Sequence, residues 1–564
     1  MKRSLLLLMF LAAVTFARAQ DIAGDWKGTL SAGGAELRLV LHVTKAADGS
    51  LKATLDSVDQ GANGIPVNSV TLKDSKLSLD VATVHGTYEG TVAADGKSIK
   101  GTWSQGAALP LEFTRGTAPV KTEHKAAKPS DIDGAWTGSL DTGSVKLRVV
   151  FHITNTEDGL TATMDSPDQG MKALPTTSVT RDGPSLKIEA KSIAGAFEGK
   201  IAADLSSIDG TWSQGGGTLP LVLKRVKDQS ELEPPKRPQN PVKPYPYHEE
   251  EVSYENKVQN VTLAATLTFP EGKGPFPGVL LITGSGPQDR DESLLGHKPF
   301  LVLSDYLTRH GIAVLRADDR GTGKSTGVFS KATTADFATD VEAGVAYLKT
   351  RPEVDPHKIG LVGHSEGGVI APMVAARNKD VAFIVMMAGT GVPGDQVIVA
   401  QGEAIDVATG KKPEEAAKDA ANEREMLKLV ETEKDEAVLE KELKEKMAGE
   451  VPEGQVGLQI RQITSPWFRY FLTYDPATAL RKVTCPVLAI NGSLDKQVLP
   501  SQNLPTIRKA LEEAGNKQFE IDELPGLNHL FQTAKTGSPV EYAQIEETMS
   551  PLALQKIADW IVKK

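Results

Sequence analysis

From Glu249 onward, short unbroken apolar runs alternate with longer stretches whose apolar positions recur every three or four residues. The runs Gly278–Thr283, Ile312–Arg316, Ile359–Gly363, Val381–Ala388 and Pro486–Asn491 show no polar alternation, which predicts parallel strands buried on both faces. Thr334–Thr350 and Leu552–Val562 carry the helical period. Such alternation predicts a doubly wound, mostly parallel α/β sheet, with ligands beyond the carboxyl ends of its strands. Upstream the pattern changes. Apolar and polar residues alternate one by one over short runs, punctuated by Gly, Asn and Asp. That is the pattern of antiparallel strands in a small all-β barrel or sandwich.

The β region is written twice, over 20–118 and 128–226. Asp21–Leu30 returns as Asp131–Leu140, so that Trp26 matches Trp136. Leu37–Thr44 returns as Leu147–Thr154, Asp56–Gly61 as Asp165–Gly170, and Gly101–Gln105 as Gly210–Gln214. The repeated Trp residues are expected to plug the cores. His42 and His152 lie on alternating strands without a second ligand pattern, so no metal is expected there. Residues 227–248 hold Pro234, Pro235, Pro238, Pro241, Pro244 and Pro246 among polar neighbours, which predicts a stiff, extended spacer. The α/β domain fills 249–564 and is interrupted at 394–480. Within that insertion, the charged helical stretch Glu414–Met447 reads as a solvated hairpin. The apolar, aromatic segment that follows carries Trp467, Phe468 and Phe471. It is expected to belong to a cap whose aromatics line an acyl or alcohol pocket.

At 564 residues the chain exceeds a single core, and ~3–4 domains are expected. A net charge of −10 and an aromatic content of 5% give no reason to expect a nucleic-acid partner. Lys2 and Arg3, the apolar run Leu5–Val14 and the small residues Ala17 and Ala19 predict a signal peptide over 1–19 and export to the periplasm or the medium. That run is too short to cross ~30 Å of hydrocarbon, and no later segment is a candidate membrane span. Cys485, the sole cysteine, opens an apolar run and is expected to be buried and inert.

Chemistry concentrates at Gly363-His364-Ser365-Glu366-Gly367. An apolar strand enters this segment and a small-residue helix, Val369 to Arg377, leaves it. This is the context of a nucleophile elbow, in which a tight turn exposes the serine oxygen beside the free N–H groups of a helix start. A second match to the five-residue pattern, around Ser325, has no strand running into it and is rejected. An elbow serine needs a base, and the base needs an orienting acid, in the chain order Ser, acid, His. His529 is the only histidine after Cys485 and lies in a loop after the strand Gln518–Leu524. Asp495 follows the preceding strand. His364, inside the elbow, is expected to point away from the serine. Two backbone donors are expected to hold an oxyanion: the N–H of Glu366 and that of Ser285, with Gly286 beside it in the loop after Gly278–Thr283.

Taken together, Gly284–Asp291, Asp318–Gly323, Gly363–Gly367, Gly492–Asp495 and Asn528-His529 resemble the α/β-hydrolase superfamily. The likeness is to bacterial carboxylesterases akin to dienelactone-hydrolase and serine-aminopeptidase-like members. That resemblance implies a turn near the site at Asp318–Gly323, to which a structural role falls. The expected chemistry is cleavage of a small-molecule ester through an acyl-enzyme, with no cofactor, and with activity falling on the acid side as His529 protonates. A serine aminopeptidase of the same fold is the nearest alternative. A binding protein that grips an envelope or glycan partner through the β repeats is a second.

Overall fold

A computed structural model describes residues 21–564 apart from 33–34, 47–49, 59–61, 82–85, 106, 117–126, 142–145, 170, 215–216, 229–231, 234–235, 450 and 452. The expected signal peptide lies outside the described residues. The first repeat is one compact unit, and the second repeat with the α/β domain forms the other.

Each repeat is a nine-stranded antiparallel meander whose first strand also pairs with its last. Gly24–Ala32 pairs with Ala107–Arg115 in one copy, and Gly134–Asp141 with Gly217–Arg225 in the other. Alternation dictates this form. Along Gly86–Val92 burial changes at every residue, so one face of the sheet packs inward. Trp26 and Trp136 are fully buried, as expected. Their indole N–H groups donate to Ile22 O (2.9 Å) and Ile132 O (2.8 Å). Arg115 and Arg225 lie over the two rings, each 4.5 Å from the centroid. His42 is held between Asp25 (2.7 Å) and Asp56 (3.0 Å), and His152 is bonded to Asp165 (2.9 Å).

The α/β domain is built on an eight-stranded sheet. Its strands are β1 (Tyr247–Asn256), β2 (Val261–Pro270), β3 (Phe276–Ile282), β4 (Ala313–Ala317), β5 (Val354–His364), β6 (Val381–Met387), β7 (Val487–Gly492) and β8 (Phe519–Leu524). The spatial order is 1-2-4-3-5-6-7-8, with β2 antiparallel to both neighbours and the remaining pairs parallel. Helices α1 (Pro299–Arg309) and Pro551–Val562 pack on one face. Helices α2 (Thr334–Leu348), α3 (Glu366–Ala375) and Pro500–Glu513 pack on the other. The strand order reverses between β3 and β5, and their carboxyl ends open the crevice where the site is built.

Between β6 and β7 the cap is helical: α4 (Gly394–Ala408), α5 (Pro413–Thr432), α6 (Glu436–Met447), α7 (Glu453–Ile463) and α8 (Pro466–Thr473). The reading of Glu414–Met447 as a solvated hairpin is corrected here. Leu427, Val430, Leu439 and Leu443 face inward and build a core with Phe468 and Leu472. Dense charge on the outer face conceals this apolar stripe in the sequence. The linker also departs from a free spacer, because its second half lies on the α/β domain. Arg237 and Gln239 bond to main-chain atoms of Leu295, Ala543, Ile545, Thr548 and Met549.

Candidate active site

Ser365 sits at the junction of β5 and α3 with φ +52° and ψ −112°, a conformation that costs a non-glycine residue ~1–3 kcal/mol. Its neighbours enforce the turn. A Cβ on Gly363 would stand 2.0 Å from Gly367 O, and one on Gly367 would stand 2.1 Å from Ile282 O. The Ser365 N–H donates to Met387 O (2.8 Å), which ties the turn to β6.

His529 and Asp495 come together from the loops after β8 and β7. His529 Nδ1 lies 2.8 Å from Asp495 Oδ2, and both residues are buried. The other oxygen, Asp495 Oδ1, accepts from the N–H groups of Gln497 (2.8 Å) and Val498 (2.9 Å). The carboxylate is thereby fixed by main chain and turned toward the imidazole.

His364 faces elsewhere, as the sequence reading expects. Its Nδ1 meets Glu292 Oε1 at 2.9 Å and its Nε2 meets the carbonyl of His529 at 3.0 Å. Burial opposes its charged form, but the Glu292 carboxylate outweighs this and raises its pKa. The same Glu292 oxygen accepts from Gly284 N–H (2.9 Å). One buried carboxylate thus joins the loop after β3 to the elbow and, through His364, to the main chain of His529. Sequence reasoning missed Glu292, because a single Glu in an acidic loop carries no signal of burial.

The loop after β3 passes beside the serine. A Cβ on Gly284 would meet Ser365 Cβ at 3.4 Å, and Gly286 has φ +94°. Asp318 and Asp319 clamp it. Arg290 donates to both oxygens of Asp318 (2.9 and 2.8 Å), and Gln288 N–H donates to Asp319 (2.9 Å). Ser325 is buried and donates to Asp318 O (2.7 Å), in keeping with its rejection as a nucleophile.

Glu366 carries a side chain with its own task. Its carboxylate accepts from Thr334 Oγ1 (2.7 Å) and from the indole N–H of Trp467 (2.8 Å). Helix α2 and cap helix α8 therefore meet on one carboxylate. Burial pushes its pKa up to about 7.

A cavity of about 800 Å³ collects these pieces. Ser285, Gly286, Ser365, Glu366 and His529 border it, and so do Trp467, Phe468 and Phe471. The cap aromatics form a wall, with Trp467 and Phe471 stacked at 5.6 Å and nearly parallel. Val397, Ile398 and Ile405 add apolar lining, and Gln288, Asp289, Gln497 and Tyr542 add polar groups.

A serine at a strained strand–helix turn in this sheet order, opposite a histidine on the loop after the last strand, defines a serine hydrolase. The domain over residues 247–564 has the α/β-hydrolase fold. Residues 259–521 match the model of the X-Pro dipeptidyl-peptidase (S15) family. Esterase EstD of Thermotoga maritima is 29% identical over 313 residues, which cover 55% of this chain and 68% of EstD. The mitochondrial acyl-coenzyme A thioesterase 2 of Mus musculus is 30% identical over 135 residues, 24% of this chain and 26% of its own. Among solved structures, the Pyrococcus furiosus esterase Pf2001 covers 56% of this chain and 93% of its own length at 14% identity, with a TM-score of 0.35.

Proposed function

We propose that this serine hydrolase cleaves carboxylic esters, with Ser365 as nucleophile, His529 as general base and Asp495 as its orienting acid. The observation that carries the reading is the 2.8 Å contact of His529 Nδ1 with Asp495 on a cavity shared with Ser365. A proton on Nδ1, donated to Asp495, leaves Nε2 with the lone pair that removes the serine proton. Ser365 Oγ attacks the ester carbonyl, and the N–H groups of Glu366 and Ser285, with Gly286 beside them, hold the oxyanion. His529 passes its proton to the departing alcohol, and water then hydrolyses the acyl-enzyme. The acyl group lies under the cap against Trp467, Phe468 and Phe471.

The described residues that border the cavity include Asp289, Glu292 and Glu366 but no lysine or arginine. That charge balance favours an uncharged ester over an anionic coenzyme A thioester. The S15 match raises the peptidase reading, which needs a carboxylate to grip a free amine. Glu366 is already engaged by two donors, Thr334 and Trp467, which weighs against that role. Export through residues 1–19 to the periplasm or medium belongs to the same proposal, as does an envelope or glycan partner for the β repeats.

Turnover of acetyl, butyryl and octanoyl p-nitrophenyl esters and of aminoacyl and X-prolyl anilides, beside Ser365→Ala, tests the reading. Ester cleavage that disappears in the variant is expected. Anilide cleavage alone would move the assignment to a peptidase.

A further inference from the structure

The second half of the linker and the second β repeat converge on two loops at the base side of the cavity. Arg237 binds three main-chain carbonyls of the α/β domain at once, besides that of its neighbour Lys236. Its Nη2 donates to Leu295 O (2.8 Å) and Ala543 O (3.0 Å), and its Nη1 donates to Ile545 O (3.0 Å). Leu295 lies between β3 and α1, whereas Ala543 and Ile545 follow the loop of His529. Two residues on, Gln239 Oε1 accepts from Thr548 N (2.6 Å) and Met549 N (3.0 Å), and its Nε2 donates to Met549 O (2.8 Å). From the repeat, Leu147 packs on Leu295, Leu530 and Tyr542. Its neighbour Arg148 is paired with Asp168 (2.7 Å) and donates to Glu233 O in the linker (3.2 Å).

These contacts lead directly to the candidate base and acid. Leu530 is the residue after His529. Tyr542 Oη accepts from Gln497 Nε2 (3.0 Å), and the Gln497 N–H donates to Asp495 (2.8 Å). A planar guanidinium presents several donors in a fixed fork and can bridge separate carbonyls, whereas a lysine ammonium acts from one point.

We propose that Arg237, backed by Leu147 of the second β repeat, is a positioning residue for His529 and Asp495. The fork ties the loop before α1 to the segment after His529, and Leu147 presses on Leu530 and Tyr542 from behind. Removing the tie lets the imidazole depart from its reacting position while the acyl wall under the cap stays in place. Turnover therefore falls more than substrate affinity. The effect on turnover rests on the esterase reading; the tie between the loops does not.

The test compares full-length Arg237→Ala, Arg237→Lys and Leu147→Ser with the wild type and Ser365→Ala. For Arg237→Ala, kcat on p-nitrophenyl butyrate is expected to fall about tenfold with KM within about twofold. Millimolar methylguanidinium should restore part of the loss, and Arg237→Lys should recover little of it. Hydrogen exchange of amides 540–549 should accelerate while that of the central strands stays unchanged. Wild-type kcat together with wild-type exchange in Arg237→Ala would overturn the proposal, and so would a loss confined to KM. Leu147→Ser is read by the same two measurements and decides the matter if Arg237→Ala does not fold. If the wild type has no Ser365-dependent esterase activity, the functional reading fails, and exchange at 540–549 alone decides the tie.

Discussion

The positions of Ser365, Asp495 and His529 were legible because an elbow and two loop ends must fall there in a strand–helix alternation. Glu366 was expected only as a backbone donor. Its side chain is a separate matter, since burial raises the carboxyl from an ordinary 4.5 to about 7. A pKa higher in the folded than in the unfolded state gives a contribution that is full below about 4.5 and lost as pH rises through about 7. Wild-type stability should therefore decline across that window. Glu366→Gln keeps an oxygen acceptor for Trp467 and Thr334 and carries no charge. It should exceed the wild type at pH 8 by about 3 kcal/mol, measured by urea unfolding at pH 5 and pH 8. Equal stability of the two proteins at pH 8 would contradict this. Glu292→Ala works in the opposite sense, because it strands Gly284 N–H and His364 Nδ1 in a buried setting. A loss of about 2–4 kcal/mol is expected in the same measurement. Nothing in the sequence distinguished Glu292 from the acidic residues around it, since its burial depends on the elbow lying across it.

At the scale of elements, unbroken apolar runs located the parallel strands, and the recurrence of Trp26 as Trp136 located two copies of one β unit. Helices α5 and α6 were legible as helices but not as a packed pair. Their charged residues outnumber the apolar ones, and only the cap core shows which positions turn inward. Leu443 is fully buried there, against other cap residues. Leu443→Ala should cost about 2–5 kcal/mol. Because the cap borders the same cavity as Ser365 through Trp467, cleavage of octanoyl esters should suffer more than cleavage of acetyl esters. Equal losses on both would separate the cap core from the acyl wall. Trp467→Phe asks a finer question, since it keeps an aromatic ring opposite Phe471 and deletes the N–H donated to Glu366. One donor fewer favours the neutral carboxyl, so any acid–base transition of Glu366 should move to higher pH.

For the whole molecule, the first repeat is its own compact unit, whereas the second belongs to the same unit as the α/β domain. Equivalent substitutions in the two copies should then have unequal reach. Trp26→Ala and Trp136→Ala each empty a fully buried site and should each cost about 3–5 kcal/mol locally. In calorimetry, Trp26→Ala should lower one transition and leave the catalytic one in place, while Trp136→Ala should lower the transition that carries activity. Identical thermograms for the two variants would contradict the division. The repeat was readable from the sequence; the different standing of its copies was not. It depends on contacts such as Leu147 on Leu530, between segments hundreds of residues apart.

Arg237 also bears on where the protein can be cut. The match to the S15 family model starts at residue 259, and a fragment beginning at Glu249 looks like the natural catalytic module. Such a fragment would leave Leu295, Ala543 and Ile545 without the guanidinium that serves their carbonyls. It would also uncover the apolar surface on which Leu147 rests. The loops around the candidate site thus draw hydrogen-bond partners from residues that precede the matched segment.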